Sequence, residues 1–397
     1  MKDGHFLIAK LCKIKVNEFA LGFGPTILKI QGKETKYALR LIPLGGFVSM
    51  EGEEERSDKE GSFSKAPIIK RIAIVAAGGL VNIIFGIVIF FGLATTNSNI
   101  STNKIENLMD GYNAQIIGLQ VNDEIVKINN KRIINNDDIS AALMESKGSK
   151  VNVVVKRNGE LLNFDIVPNE QKYKKAGIYF REGVETKIAA IDVDSPAEKQ
   201  GLKVNDIVTK INGIEVKNNI RKLTETINNA ESNTLEFIVE RHGKEKTILV
   251  DVEEESSYLL GVYLKKADNT LGNKIYYGIH DTVNFVLSIG ENLKELVTGK
   301  AKSSQLMGPV GISSVVSNTQ GIREYIEIIS LISLSLGITN LLPFPPLDGG
   351  KIVLLIIEAI RRKPLKEKTE TSIQMAGFCI MIALAIIITY KDIVKIF

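Results

Sequence analysis

Apolar and polar residues segregate into long blocks along this chain. Ile72 to Asn97 contains no charged residue, and neither does Ser372 to Tyr390. Each block is long enough for a bilayer-crossing helix, which needs ~20 residues. A third uncharged run, Ile328 to Leu342, is expected to form a span from about Tyr325. It enters Asn340-Leu-Leu-Pro-Phe-Pro-Pro-Leu-Asp-Gly-Gly-Lys351 and resumes at Ile352 to Ile356. Ile275 to Val297 is different. Ile279, Val283, Phe285, Val286, Ile289, Leu293 and Leu296 alternate there with His280, Asp281, Glu291, Lys294 and Glu295. That pattern predicts an amphipathic helix lying on a membrane or against a membrane core, with His280 as an interfacial polar residue. From about 100 to 270 the chain is polar and charged.

The first fifty residues do not read as a span. Ile14 to Pro25 and Tyr37 to Val48 are strand-like runs interrupted by glycine and proline, which predicts a small Gly-rich sheet. The polar insert contains a gapless internal repeat: Gly118-Leu-Gln-Val-Asn-Asp-Glu-Ile-Val-Lys-Ile-Asn-Asn130 against Gly201-Leu-Lys-Val-Asn-Asp-Ile-Val-Thr-Lys-Ile-Asn-Gly213. Each copy continues into a helix-like segment and then alternating strands, Val151 to Arg157 and Leu235 to Arg241. Asn-Gly or His-Gly turns lead into the next strand.

The break at 340–351 holds the candidate chemistry. Three prolines in four positions stop a helix, and Gly349 and Gly350 permit a tight turn. Irregular backbone at membrane depth survives where it is buried in protein or lines a wet cavity. An ionisable Asp348 there is either a functional group or the N-cap of a helix starting near Lys351. Charge adds orientation. Lys65, Lys70 and Arg71 precede the first block, and Arg361-Arg362-Lys363, Lys366 and Lys368 follow the third, which places both groups on the cytoplasmic side and 100–270 outside. The net charge of +4 is too small to point to nucleic acid. Cys12 and Cys379 lie outside the insert and imply no disulfide framework.

Asn-Leu-Leu-Pro-x-Pro-x-Leu-Asp-Gly-Gly resembles the signature of the bacterial branch of the site-2 proteases, and the resemblance covers nearly the whole chain. Phe-x-x-Gly-Phe-Gly-Pro25 and Ile42-Pro-Leu-Gly-Gly-Phe47 resemble that family's membrane-associated β-loop. Ala77-Gly-Gly-Leu-Val-Asn82 resembles its Gly-Pro-x-x-Asn motif, with Gly79 in place of proline. Asn82 is then either a cavity residue or an interhelical hydrogen bonder. Ser195-Pro-Ala-Glu-Lys-Gln-Gly-Leu202 looks like a PDZ domain of the bacterial protease type, and Ser304 to Ile312 like a Gly/Pro linker of the family.

The resemblance implies a multi-pass α-helical membrane protein with a small membrane-associated β-sheet and two inserted α/β PDZ-like domains. The expected boundaries are 1–98 for the N-terminal part of the core, 101–179 and 180–268 for the PDZ-like domains, and 275–397 for the C-terminal core. It implies a Zn2+ endopeptidase in the bacterial inner membrane, with PDZ domains on the outer face. The substrates would be single-pass membrane proteins such as an anti-sigma factor. Gly4-His5-Phe6 matches the end of the family's His-Glu-x-Gly-His-Phe, so His5 and Asp348 become metal ligands, and Asn340, Pro343 and Asn82 substrate-site residues. Met1 and Lys2 stand where the motif has His and the general-base Glu, and the family's first helix is not seen. The chain as given is therefore expected to lack activity. The alternative is a non-catalytic scaffold that presents two PDZ domains. A transporter, the third class considered, would need more spans and paired broken helices.

Overall fold

A computed structural model describes residues 2–53, 55, 57–97, 99–180, 185–192, 195–299, 308–319 and 321–396. Its contacts divide the chain into two units, one running to Thr96 and resuming at Asp281, the other spanning Asn97–His280.

The first unit begins with α1 (Lys2–Leu11), followed by β1 (Val16–Gln31) and β2 (Lys36–Met50), and then α2 (Ile68–Thr95). β1 and β2 form one antiparallel two-stranded ladder with repeated register shifts, so the glycines and prolines bend the strands without ending them. Leu21, Phe23, Ile27, Leu28, Ile30 and Leu41 on this ladder are exposed. Beneath it Ala9, Ile14, Val16, Met50, Phe63, Ile74, Val75 and Leu355 form one apolar cluster.

The second unit carries the repeat. Its first copy comprises β3 (Ser101–Leu108), α3 (Asn113–Ile116), β4 (Glu124–Ile128), β5 (Lys131–Arg132), α4 (Asn136–Ser146), β6 (Val151–Arg157), β7 (Glu160–Ile166) and β8 (Asn169–Lys175). There follow β9 (Ile178–Phe180), β10 (Ile188–Ile191), α5 (Pro196–Lys199), β11 (Ile207–Ile211), β12 (Ile214–Glu215), α6 (Ile220–Asn228), β13 (Thr234–Arg241), β14 (Lys244–Asp251), β15 (Glu253–Leu259) and β16 (Val262–Lys266). The local chemistry is legible. Asn135 and Asp138 make a capping box on α4, while Ser195 and Asn219 cap α5 and α6. Asn158-Gly159 and His242-Gly243 hold the positive φ values that two-residue hairpin turns require. In each copy an arginine reaches back to a buried aspartate: Arg157 to Asp123 and Arg241 to Asp206, both at 2.7 Å through Nε.

The copies have separate apolar cores, one around Ile105, Ile125, Val153 and Leu260, the other around Ile188, Val208, Leu223 and Phe237. The strands of the first sheet run β16-β3-β4-β6-β7, so a strand that follows the second copy completes the first. Entry to and exit from the second copy are paired as β8 with β15, from Asn169 opposite Leu259 to Lys175 opposite Glu253. The second copy is thus nested in the first on a two-stranded stalk. The expected cut at 179/180 assigns residues 262–266 to the second copy, whereas the ladder puts them beside β3.

α7 (Leu271–Val297) is the helix that the amphipathic pattern predicts, beginning four residues earlier. Then come α8 (Pro309–Asn318), α9 (Ile322–Asn340), α10 (Asp348–Arg361) and α11 (Glu367–Ile396). Gly308 precedes the helix that Pro309 opens, so 309–312 is helical instead of linker, and Ser304–Met307 lie outside the described residues. Among the described residues two helices are long and apolar enough to cross a membrane, Ile68–Thr95 and Glu367–Tyr390. α2 and α9 cross at small residues: Ser330 Oγ donates to the Gly86 carbonyl at 2.8 Å and Ser333 Oγ to the Asn82 carbonyl at 2.9 Å.

Candidate metal centre

The motif segment is a turn between two helices. α9 ends at Asn340, residues 341–347 are irregular, and α10 starts at Asp348. A Cβ on Gly349 would stand 2.2 Å from the carbonyl oxygens of Leu341 and Leu342. The first turn of α10 therefore folds back onto the loop where only hydrogen fits. Gly377 of α11 does the same against the Pro345 carbonyl, where a Cβ would come to 2.1 Å.

Leu347 occupies the N-cap position of α10 and no side chain caps the helix, so Asp348 is its first helical residue and not its cap. That removes the capping role for this carboxylate, which is the acidic residue of the first turn of α10. It faces His5, which α1 buries to 5 % exposure. His5 Nε2 lies 3.5 Å from Asp348 Oδ2 and 3.2 Å from the Val75 carbonyl oxygen. His5 Nδ1 and Asp348 Oδ2 are both buried and make no hydrogen bond. Orphaned buried polar atoms of this kind are costly.

The pair opens on a cavity of about 180 Å³ whose polar lining is Lys2, His5, Glu53, Asp348, Lys351 and Gln374. Lys351 Nζ is 2.8 Å from Glu53 Oε1 and 5.2 Å from the centre of the Phe63 ring. Two ammonium groups and two carboxylates thus share the lining. Lys351 sits one helical turn after Asp348 on the same face, a spacing that could have singled it out in the sequence. Glu53 had no motif around it.

The other expected site residues are not brought to this cavity. Asn340 Nδ2 donates to the Leu336 carbonyl at 2.8 Å, Pro343 is exposed, and Asn82 meets α9 through its backbone carbonyl. His242 lies in its exposed hairpin turn, and His280 pairs with Asp138 at 2.9 Å.

Tetrahedral zinc with donors at 2.0–2.2 Å separates two of them by roughly 3.3–3.6 Å. The His5 Nε2–Asp348 Oδ2 spacing matches that separation, and Nε2 would become a ligand by giving up its proton and its bond to the Val75 carbonyl. Among the described residues no third His, Cys, Asp or Glu joins them in a metal-holding group.

The model of peptidase family M50 matches residues 3–384, and the chain belongs to that family of membrane proteases. The site-2 protease resemblance is thereby borne out. A putative zinc metalloprotease of Clostridium acetobutylicum is 29 % identical over 394 residues, 98 % of this chain and 92 % of that one. The regulator of sigma E protease of Haemophilus influenzae is 27 % identical and covers 99 % of this chain and 95 % of its own. Among solved structures, the HtrA3 PDZ domain bound to a phage-derived ligand is 18 % identical, covering 22 % of this chain and 93 % of its own at a TM-score of 0.19.

Proposed function

We propose that this chain has the architecture of a multi-pass intramembrane zinc metalloendopeptidase that engages the transmembrane segments of single-pass proteins, such as an anti-sigma factor. The observation that carries the reading is the His5–Asp348 pair: a buried imidazole and a carboxylate whose Nε2 and Oδ2 lie at ligand spacing, both residues lining one cavity. Membership of family M50 and the zinc metalloproteases among the relatives support it. The two PDZ-like modules, the second nested in the first, would lie on the outer face of the inner membrane, because Lys65, Lys70, Arg71 and Arg361–Lys363 favour the cytoplasm.

His5 and Asp348 would hold the metal, which when bound supplies Lewis-acid activation of a peptide carbonyl and of water. The chain's own groups set its surroundings. The Val75 carbonyl accepts from His5 Nε2 and holds the ring against α2, a bond that metal binding would displace, and the Asp348 charge would partly offset that of the cation. Glu53 holds Lys351 by an ion pair, so that the Lys351 ammonium does not face Asp348 alone. A substrate helix must unwind to offer a peptide bond, since its amides are otherwise satisfied internally. The exposed apolar β1–β2 ladder offers strand edges to which unwound backbone can add. Asn340, Pro343 and Asn82 would shape the approach from the α2–α9 side.

Catalysis needs more than this pair. Lys2 lines the cavity where the motif has a carboxylate, and its positive charge repels a dication. The chain as given is then a binding-competent scaffold that does not cleave. Zinc content and cleavage of a helical membrane substrate, measured together, test the reading. The unsubstituted chain is expected to hold little zinc and to be inactive. A version with His-Glu at positions 1–2 should gain both, and Asp348→Asn in that version should abolish cleavage. Cleavage by the unsubstituted chain, or its survival in the Asp348→Asn version, would remove the assignment.

A further inference from the structure

α1 and α2 meet at two glycines, one contributed by each helix. A Cβ on Gly4 would lie 2.4 Å from the Ala77 carbonyl oxygen. One residue on, His5 lies over Gly78. A Cβ on Gly78 would stand 2.2 Å from His5 Cε1, 2.7 Å from Nε2 and 2.8 Å from Nδ1, and these three imidazole atoms are its nearest neighbours. Gly79 faces the opposite way, where a Cβ would come within 2.7 Å of Leu341 and 2.9 Å of the Gly337 carbonyl oxygen. Adjacent glycines of one helix therefore admit the histidine from one side and the motif turn from the other.

We propose that Gly78 is a positioning residue of the metal centre: its missing side chain is the seat of the His5 imidazole. The seat brings Nε2 to Val75, one turn earlier on α2, and holds it at ligand spacing from Asp348 Oδ2. A methyl group at 78 cannot coexist with the ring where it is. It pushes the imidazole out of the cavity wall or α1 off α2, because contacts this short do not occur between real atoms. The purpose of the seat rests on the metal-site reading above, whereas its existence rests on geometry alone.

A double-mutant cycle on the full chain in detergent tests it, with Gly78→Ala, His5→Ala and the double variant followed by thermal unfolding. Gly78→Ala should lower the midpoint when His5 is present. In the His5→Ala background the same substitution should cost nothing or raise the midpoint, since alanine is the better helix former. Gly92→Ala, on the same helix with open space around it, should be harmless in both backgrounds. If Gly78→Ala alone does not fold, the double variant should. A loss equal in both backgrounds, no loss in either, or a double variant that also fails to fold overturns the proposal.

A second readout separates position from packing. The chain has three histidines, so their ring signals can be resolved by nitrogen NMR. Zinc titrated in excess, enough to occupy a site too weak to retain the metal through purification, should shift the His5 signals in the unsubstituted chain and in Gly92→Ala, and leave them unmoved in Gly78→Ala. A zinc shift retained in Gly78→Ala overturns the seat. Should zinc move nothing in the unsubstituted chain while the stability cycle behaves as expected, the seat stands and the metal assignment falls.

Discussion

Cutting the insert between its two copies should have unequal consequences. The core of the second copy draws on residues from Ala176 to Val252 and is complete within that stretch. The first copy's core takes Leu260, with Tyr258, Val262 and Leu264 packed against it, from beyond the second copy. Burying a Leu or Val side chain fully contributes ~1.5–3 kcal/mol. Leu260 is 3 % exposed and Val262 and Leu264 are half-buried, so their loss removes roughly 4 kcal/mol. The β16–β3 hydrogen bonds add about 0.5–1.5 kcal/mol each. A domain of this size has only ~5–15 kcal/mol in all. A fragment of residues 99–180 should therefore be unfolded or barely folded. Residues 174–254 alone, and residues 99–270 together, should unfold cooperatively in urea when followed by circular dichroism. Joining residues 257–268 to the short fragment through a Gly/Ser linker should restore its transition. A cooperative transition in 99–180 at the same midpoint as in 99–270 would refute the nesting argument.

Other consequences are simpler to read. Burial pushes Asp123 up, but hydrogen bonds from Arg157 and the Gln120 amide, together with the Arg157 charge, outweigh it and hold its pKa below the usual value. Arg157→Met should cost about 3 kcal/mol at pH 7, the low end for a broken buried pair because the guanidinium is 22 % exposed. A depressed carboxylate stabilises above its unfolded pKa and loses that share as pH falls through the folded value. The gap between Arg157→Met and the unsubstituted insert should therefore close below about pH 4 in urea titrations. Arg71 of α2 pairs with Glu358 of α10, with side chains 10 % and 17 % exposed. Glu358→Gln strands that charge and should destabilise the detergent-solubilised chain by ~3 kcal/mol, whereas Arg71→Met with Glu358→Leu should recover most of it. For orientation, cysteines introduced at Asn130 and Lys366 should react with an impermeant reagent in intact cells at the first position only. Reaction at Lys366 alone would invert the topology.

What the sequence disclosed is what sits in short windows. The spans of α2 and α11 are lengths of uncharged chain, and the hairpins are Asn-Gly and His-Gly pairs. The break at 340–351 is a cluster of residues that cannot continue a helix. Every one of these signals acts within a few residues of itself. β16 escaped because an alternating strand looks the same whichever sheet it joins, and its partner β3 lies more than 150 residues away. Asp348 was ambiguous because N-cap and first helical residue differ by a single position, which the contact of Gly349 with the Leu341 and Leu342 carbonyls decides. His5 came from a family motif, since one histidine near the start of a chain has no periodicity to mark it. Lys351 could have been read from its spacing to Asp348. Glu53 gave no sign because it matters through Lys351, far along the chain. The role of Gly78 stayed hidden because its neighbour His5 belongs to another helix.

The stalk formed by β8 and β15 also sets a timetable for the nascent chain. A ribosome adds ~5–20 residues per second, so roughly 4–17 s separate the synthesis of Lys175 from that of Val262. Throughout that interval the first sheet waits with the edge of β3 unpaired, while the second copy already has everything it needs. The later domain is thus able to mature before the earlier one, against the usual N-terminal-first order. An open β3 edge is a template for wrong pairing. Holding that edge until β16 arrives is a task for whatever accompanies the nascent chain.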